Sequence, residues 1–426
     1  MATSAASFSS PDGSPPQQAS AGRLDSVDLL RGLVMAIMAL DHTRDYFTHL
    51  RFAPEDLSQT YGALFFTRWI THLCAPTFFF LAGTGIFLSR KRGGELSKFL
   101  LTRGIWLVFL ELTLISFAWN FRWSVASLFV FLVIWALGWS MVAMAGIARF
   151  PVRWVALIGV GMILFHNAFD LVSPAMVTAR LGKGAGWLWA ILHQPGFYRL
   201  DLPGAPPQAG FWVLYALIPW IGVMAAGFAF GHLLMQPPEK RRKTLLLLGA
   251  FVFASFLFLR ATNLYGNPPV GYGFVSPGPF VVQKTNELTI IAFFNVEKYP
   301  PSLQYLGMTL GISIMLLSFF ERINLRSSSS WLWNKILVFG RVPMFYYICH
   351  IFLIHLMAAA VAPMFGQPWK WLMGGSPFDG LPNAYGHNLP FIYLMWLTAL
   401  VILYFPCRWY ADLKQRRKDL WILSYI

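Results

Sequence analysis

The sequence predicts an all-α integral membrane protein of about ten transmembrane helices with both termini cytoplasmic. Only 12% of the 426 residues are charged, against roughly 25% in soluble domains, while 57% are hydrophobic and 17% aromatic. Ten stretches are apolar over the roughly 17–25 residues that a bilayer crossing needs: about 26–47, 66–88, 104–120, 125–146, 154–170, 211–235, 244–262, 302–321, 337–364 and 390–406. Orientation follows from the basic residues. The N-terminal tail, the connections 89–103, 147–153, 236–243 and 322–335, and the C-terminal stretch after residue 406 hold 20 Lys and Arg, against 8 in the other five connections. By the positive-inside rule the first set is cytoplasmic.

The first 22 residues, rich in Ser, Ala, Pro and Gly, lack the basic start and apolar core of a signal peptide and are expected to form a disordered cytoplasmic tail. Residues 23–410 form one polytopic unit, and 411–426 a basic cytoplasmic tail. The net charge of +15 does not point to nucleic acid, because the bases sit in short loops between apolar runs, where they set topology and face membrane lipid. Cys74, Cys349 and Cys407 lie in or at the end of apolar segments and make no zinc-like or disulfide pattern.

The chain is organised around its first span, RLDSVDLLRGLVMAIMALDHTRDYFTH (23–49). Between Leu29 and Leu40 only Arg31 is charged; then Asp41, His42, Arg44, Asp45 and His49 follow within nine residues. On a helix His42, Asp45 and His49 share one stripe, with Asp41 on a neighbouring row. A carboxylate beside an imidazole fixes its tautomer and raises its basicity. The plainer reading is the wet end of a helix, where charges cost little.

The second span opens with Arg68 and His72, four residues apart and at about the depth of His42, followed by Pro76 and the small-residue run Ala82–Gly83–Thr84–Gly85. The third span carries Glu111 and Asn120, the fifth His166 and Asp170, and the ninth, RVPMFYYICHIFLIH, carries His350 and His355. Polar groups inside spans mark functional sites, so the first, second and ninth helices are expected to meet with His42, His72 and His350 around one cavity. The outer connections 48–65, 171–210, 263–301 and 365–389 are long and rich in turn-formers and aromatics, as loops that fold over a site are. No HxxxH, HExxH or CxxC spacing supports a metal, and no GxSxG elbow supports a serine nucleophile.

The first helix, the stretch TRWITHLCAPTFFFLAGTG (67–85), the run LYALIPWIGVMAAGFAFG and the segment FNVEKYPPSLQYLGMTLG together resemble bacterial members of the heparan-α-glucosaminide N-acetyltransferase catalytic-domain family, within the wider group of transmembrane acyltransferases. The resemblance implies an enzyme of the bacterial inner membrane that takes an acetyl group from cytosolic acetyl-CoA to an outer acceptor, often a sugar, with no metal and with oligomers possible. In the lysosomal pattern the catalytic histidine lies in the stretch joining the first two helices, before an acidic residue. Here His72 takes the acidic position and the joining stretch offers only His49, so His42, His49 and His72 compete for the role. Acyl transfer asks for a histidine base or an acyl-histidine relay. Asp41 or Asp45 would orient it, and Arg44 or Arg68, with His350 nearby, would meet the acyl oxygen. Arg90, Lys91 and Arg92 would receive the CoA phosphates. The same polar groups would also serve a proton-coupled transporter or flippase for a sugar or lipid-linked substrate, or a catalytically idle scaffold.

Overall fold

The computed structural model describes residues 24–89, 93–123, 130–199, 210–268, 277–417, 419–420 and 423; Arg90, Lys91 and Arg92 lie outside the described residues. Helix α1, Asp25–Phe47, is 23 residues long, about 34 Å at 1.5 Å per residue. Asp25 and Asp28 stand in its first turn and Arg44 in its last, the order that a helix dipole favours. The second crossing is α2 (Gly62–Thr71) continued by α3 (Cys74–Leu88). It breaks at His72 and Leu73 because Pro76 has no N–H to give the carbonyl four residues back. That freed His72 carbonyl accepts the Tyr305 hydroxyl at 2.9 Å.

The third crossing is α4 (Gly93–Leu110), a π turn over Glu111–Ile115, and α5 (Ser116–Asn120). The Glu111 carboxylate accepts the Ile134 and Trp135 backbone N–H groups at 2.8 and 3.1 Å. It therefore caps α6 (Val133–Ile147), which starts later than the sequence suggests because the extended residues Val130–Phe131 (β1) precede it. The chain goes on through α7 (Val152–Phe165), then α8 (Pro174–Leu181), α9 (Lys183–Leu192), β2 (Gly196–Arg199) and β3 (Gly210–Val213). The strands form a small sheet in the order β1-β3-β2, parallel between β1 and β3 and antiparallel between β3 and β2. After it come α10 (Leu217–Phe230), α11 (Pro238–Thr262), α12 (Asn286–Phe294) and α13 (Leu303–Phe320). The last helices are α14 (Trp331–Arg341), α15 (Pro343–Met364) and α16 (Leu389–Arg416). The ninth span thus starts at Pro343, with α14 a separate helix before it, and the last helix runs ten residues past the expected end at 406.

Among the described residues eight helices are long and apolar enough to cross a membrane, and the protein is an all-α integral membrane protein. The two other expected spans are α6, only 15 residues long, and α1, which has the length but carries six charged residues. α1 can carry them because it is enclosed: α3, α13, α14, α15 and α16 all pack on it. The bundle's rim shows Ile105, Phe109, Leu157, Phe251, Phe258 and Phe405 instead, an apolar surface of the kind that lipid covers.

Glycines let the enclosing helices come close, as in membrane helix pairs generally. A Cβ on Gly32 of α1 would lie 2.1 Å from the Ile336 carbonyl oxygen, and one on Gly340 of α14 would lie 1.8 Å from that of Asp28. The same close crossing joins α3 and α10, where a Cβ on Gly83 would lie 1.9 Å from the Met224 oxygen and one on Gly227 2.0 Å from the Phe80 oxygen. Thr84 adds an interhelical hydrogen bond to the Gly227 carbonyl at 3.0 Å. Gly83→Val should therefore destabilise the detergent-solubilised protein by about 3 kcal/mol, the upper end for overpacking. Gly85→Ala, with nothing within 4 Å of its new Cβ, should be neutral or stabilising by up to about 1 kcal/mol. Thermal melts of the two variants check the contrast.

Candidate active site

The charged end of α1 is locked by an ion network. Arg68 from α2 pairs with Asp41 at 2.5 Å and with Glu55 at 2.8 Å. Arg44 pairs with Asp41 at 3.0 Å and Asp45 at 2.5 Å. Glu55 belongs to the connection between α1 and α2, and its backbone carbonyl accepts Asn295 Nδ2 at 2.8 Å. Burial works to raise the Glu55 pKa, but the Arg68 guanidinium, with His72 and Arg44 behind it, holds the carboxyl well below its ordinary value.

His42 stands apart from this network. Its Nδ1 lies 2.7 Å from His350 Nε2, and His350 Nδ1 lies 3.1 Å from the Tyr346 backbone carbonyl oxygen. A carbonyl only accepts, so in the neutral pair His350 Nδ1 carries the proton and donates to Tyr346, leaving Nε2 as an acceptor. His42 Nδ1 then donates to His350, and His42 Nε2 is left with a lone pair. The Trp119 ring meets His42 edge-on with centroids 4.9 Å apart. The partner that orients His42 is thus a second imidazole; the carboxylates of Asp41 and Asp45, expected in that role, are taken by arginines.

Two cavities meet at His42. We call the membrane face at the α1 N-terminus proximal and the other distal. The proximal cavity, about 490 Å³, has Arg31, Arg103, Arg341 and Lys414 at one end and apolar walls that include Met35, Phe78, Leu107 and Met344. The distal cavity, about 510 Å³, is lined by Asp45, Glu55, Arg44, Arg68, His72, Trp119 and Tyr299, among others. Asp41, His42, Val133, Tyr215, Lys298 and Tyr347 line both.

The other expected residues fall as follows. His72 is 1% exposed and lines the distal cavity with Nε2 3.7 Å from Glu55. His350 is buried behind His42 rather than on either wall. His49 is exposed at the end of α1, with Nδ1 2.7 Å from the His387 carbonyl oxygen, and lines neither cavity. His355 Nδ1 and Nε2 lie 2.9 and 2.8 Å from the carbonyls of Ala118 and Leu372, and Asp170 holds His193 at 3.0 Å beside His166; these contacts hold loops and helix ends. Glu111 caps α6. Sequence reasoning missed Glu55, Lys298, Tyr215 and the four basic residues of the proximal mouth. In the sequence KYPPSLQY reads as a motif, but its lysine reads only as a charge in a connection. Among the described residues no group of three or more His, Cys, Asp or Glu is arranged to hold a metal ion.

The Glu55 shift has a sign that can be tested. A carboxyl whose folded pKa is depressed adds stability that is fully present above its unfolded value, near 4.5, and is lost as pH falls through the folded value. Wild-type protein should lose stability on acidification below about pH 4.5, and Glu55→Gln should flatten that loss. Arg68→Met should cost about 3–5 kcal/mol at pH 7 because it strands buried carboxylates. Melting curves from pH 3 to 8 check both.

Residues 23–264 match the family described as heparan-alpha-glucosaminide N-acetyltransferase, catalytic. No curated protein matches the chain. The matched stretch holds α1, the broken second crossing with its Gly83 and Thr84, the α6 cap and the α10 partner of α3, and it covers more than half of the sequence. The chain belongs to the heparan-alpha-glucosaminide N-acetyltransferase catalytic family, a family of transmembrane acetyltransferases.

Proposed function

We propose that the protein transfers the acetyl group of cytosolic acetyl-CoA to a hydroxyl or amine of a small acceptor, a sugar by preference, held in the distal cavity, and that it does so in the bacterial inner membrane with both termini cytoplasmic. The observation that carries this reading is the meeting of two unlike cavities at one imidazole with a free lone pair. The proximal cavity fits the donor: a basic mouth suits the CoA phosphates and an apolar throat suits the pantetheine arm. Arg31 and His42 lie eleven positions apart on α1, about 16 Å along its axis, so a donor held by its phosphates at the mouth reaches His42 with its thioester. The distal cavity mixes carboxylates, cations and aromatic rings, as polyol sites do.

The residues then divide the work. His42 Nε2 accepts the proton of the acceptor hydroxyl or amine as it attacks the acyl carbon. His350 and the Tyr346 carbonyl hold His42 in the tautomer that makes this possible and face the imidazolium while it lasts. His42 returns the proton to the departing thiolate. The arginines, expected to meet the acyl oxygen, are engaged with Asp41, Asp45 and Glu55 and serve to keep the floor of the distal cavity in place.

His42→Ala should lower transfer from labelled acetyl-CoA by about 10²–10⁴ with acetyl-CoA affinity unchanged. Arg103→Ala combined with Lys414→Ala should weaken acetyl-CoA binding and leave turnover at saturation largely intact. A wild-type rate in folded His42→Ala overturns its role, and substrate counterflow in vesicles without thioester consumption overturns the enzyme reading in favour of a transporter.

Topology is tested separately. A cysteine placed at exposed Lys284 should react with an impermeant thiol reagent only from outside, and one at exposed Lys240 only from the cytoplasm; the reverse pattern inverts the assignment.

A further inference from the structure

Three cations line the distal cavity, Arg44, Arg68 and Lys298, and they are not equivalent. Arg68 gives Nε and Nη1 to Glu55 and Asp41. Arg44 gives Nη2 to Asp41 and Asp45, while its Nε and Nη1 are enclosed in protein. Among the described residues Lys298 is the one cation of the three in no ion pair within 4 Å, acting on Asp41 only at longer range; its Nζ lies over the Tyr299 ring, 5.0 Å from the centroid. It is also the only one of the three that lines both cavities. Lys298 as a whole is 8% exposed, so what accessible surface it has faces the cavities' junction beside His42.

The backbone around Lys298 is fixed on both sides. Ahead of it, Asn295 Nδ2 donates to the Glu55 carbonyl at 2.8 Å and the Glu297 N–H donates to Asn267 Oδ1 at 3.0 Å. Behind it, the Tyr299 N–H donates to Glu297 Oε1 at 3.0 Å, and the Ser302 N–H to the Glu297 carbonyl at 3.0 Å. Ser302 Oγ in turn accepts the Tyr305 N–H at 3.1 Å and caps α13. A cation held by this much structure, and with no carboxylate in direct contact among the described residues, spends little reorganisation when charge appears next to it, which is the arrangement that stabilises an oxyanion best.

We infer that Lys298 is a catalytic residue of acyl transfer, its ammonium donating a hydrogen bond to the acyl oxygen as that oxygen becomes negative. The inference rests on the acyl-transfer reading. As the acceptor oxygen or nitrogen bonds to the acyl carbon, His42 Nε2 takes the acceptor's proton and the carbonyl electron pair moves onto the acyl oxygen, where Lys298 Nζ–H meets it. When that pair returns, the carbon–sulfur bond breaks and His42 gives its proton to the thiolate, so the products are acylated acceptor and free CoA thiol. Lys298 stays an ammonium throughout.

The test compares wild type, Lys298→Met and Lys298→Cys in full-length protein, with Cys349→Ala as background because Cys349 is the one native cysteine that is not buried. Lys298→Met should lower kcat by about 10²–10³, the effect of losing one oxyanion donor, with acetyl-CoA Kd and acceptor KM within threefold of wild type. Lys298→Cys should be equally slow, and alkylation with 2-bromoethylamine, which rebuilds an ammonium at nearly the same reach, should restore at least tenfold in kcat. A melting temperature close to wild type in either variant keeps the rate effect separate from unfolding. If Lys298→Met loses activity only through acceptor KM, or the alkylated Cys variant stays as slow as before, the oxyanion role is overturned while acyl transfer stands. If wild type itself consumes no acyl thioester, the acyl-transfer reading falls and the role of Lys298 falls with it.

Discussion

Three carboxylates, Asp41, Asp45 and Glu55, have to find partners inside an apolar bundle, and the two arginines that pair with them set much of the remaining architecture. A buried charge is tolerable only when it is paired and its geometry held. Arg44 comes from α1 itself, but Arg68 has to arrive from α2 and Glu55 from the connection between them, so the chain must leave the bundle after Phe47 and return within fifteen residues. The break at His72 then lets α2 tilt independently of α3. α3 can follow its glycine contact with α10 while α2 delivers Arg68 to the head of α1.

Under the acyl-transfer reading, this network explains why the proposed base is not the group with the most charge around it. The arginines hold the site in shape by pairing with its carboxylates, whereas His42 is held by a second imidazole and keeps a lone pair. On that reading, support and chemistry are separated along a single helix, with Arg44 and His42 two positions apart and facing different neighbours.

Much of this was legible in the sequence. The spans, the cluster at the end of the first helix and the meeting of His42 with His350 follow from hydropathy and from the cost of polar groups in lipid. His42 and His72 do line one cavity, as expected, although His350 sits behind it. What was not legible depends on contacts between distant segments. Arg31, Arg103, Arg341 and Lys414 come from four helices, and each alone looks like a topology signal. Glu55 and Lys298 sit in connections, where a charge needs no explanation until the fold closes over it. Glu111 looked like part of a polar site because its real partners, the first N–H groups of α6, are backbone and leave no mark in the residue pattern. Asp45 shares a stripe with His42, but an adjacent Arg44 on the same turn claims its carboxylate first.

The chain of hydrogen bonds behind His42 has an effect on the membrane as well as on the site. Protons move through proteins by hopping between groups that can both receive and release one, and a row of histidines is usually a good conductor. Here the row is two rings long and stops at the Tyr346 peptide carbonyl, which has no proton to pass on. A bilayer potential does work of about 2.3 kcal/mol on each charge that crosses 100 mV, so a row of such groups running from one face to the other would be a standing leak. Under the acyl-transfer reading, the dead end lets His42 borrow a proton and return it within one turnover, and the His42–His350 row adds no proton leak of its own to the bilayer.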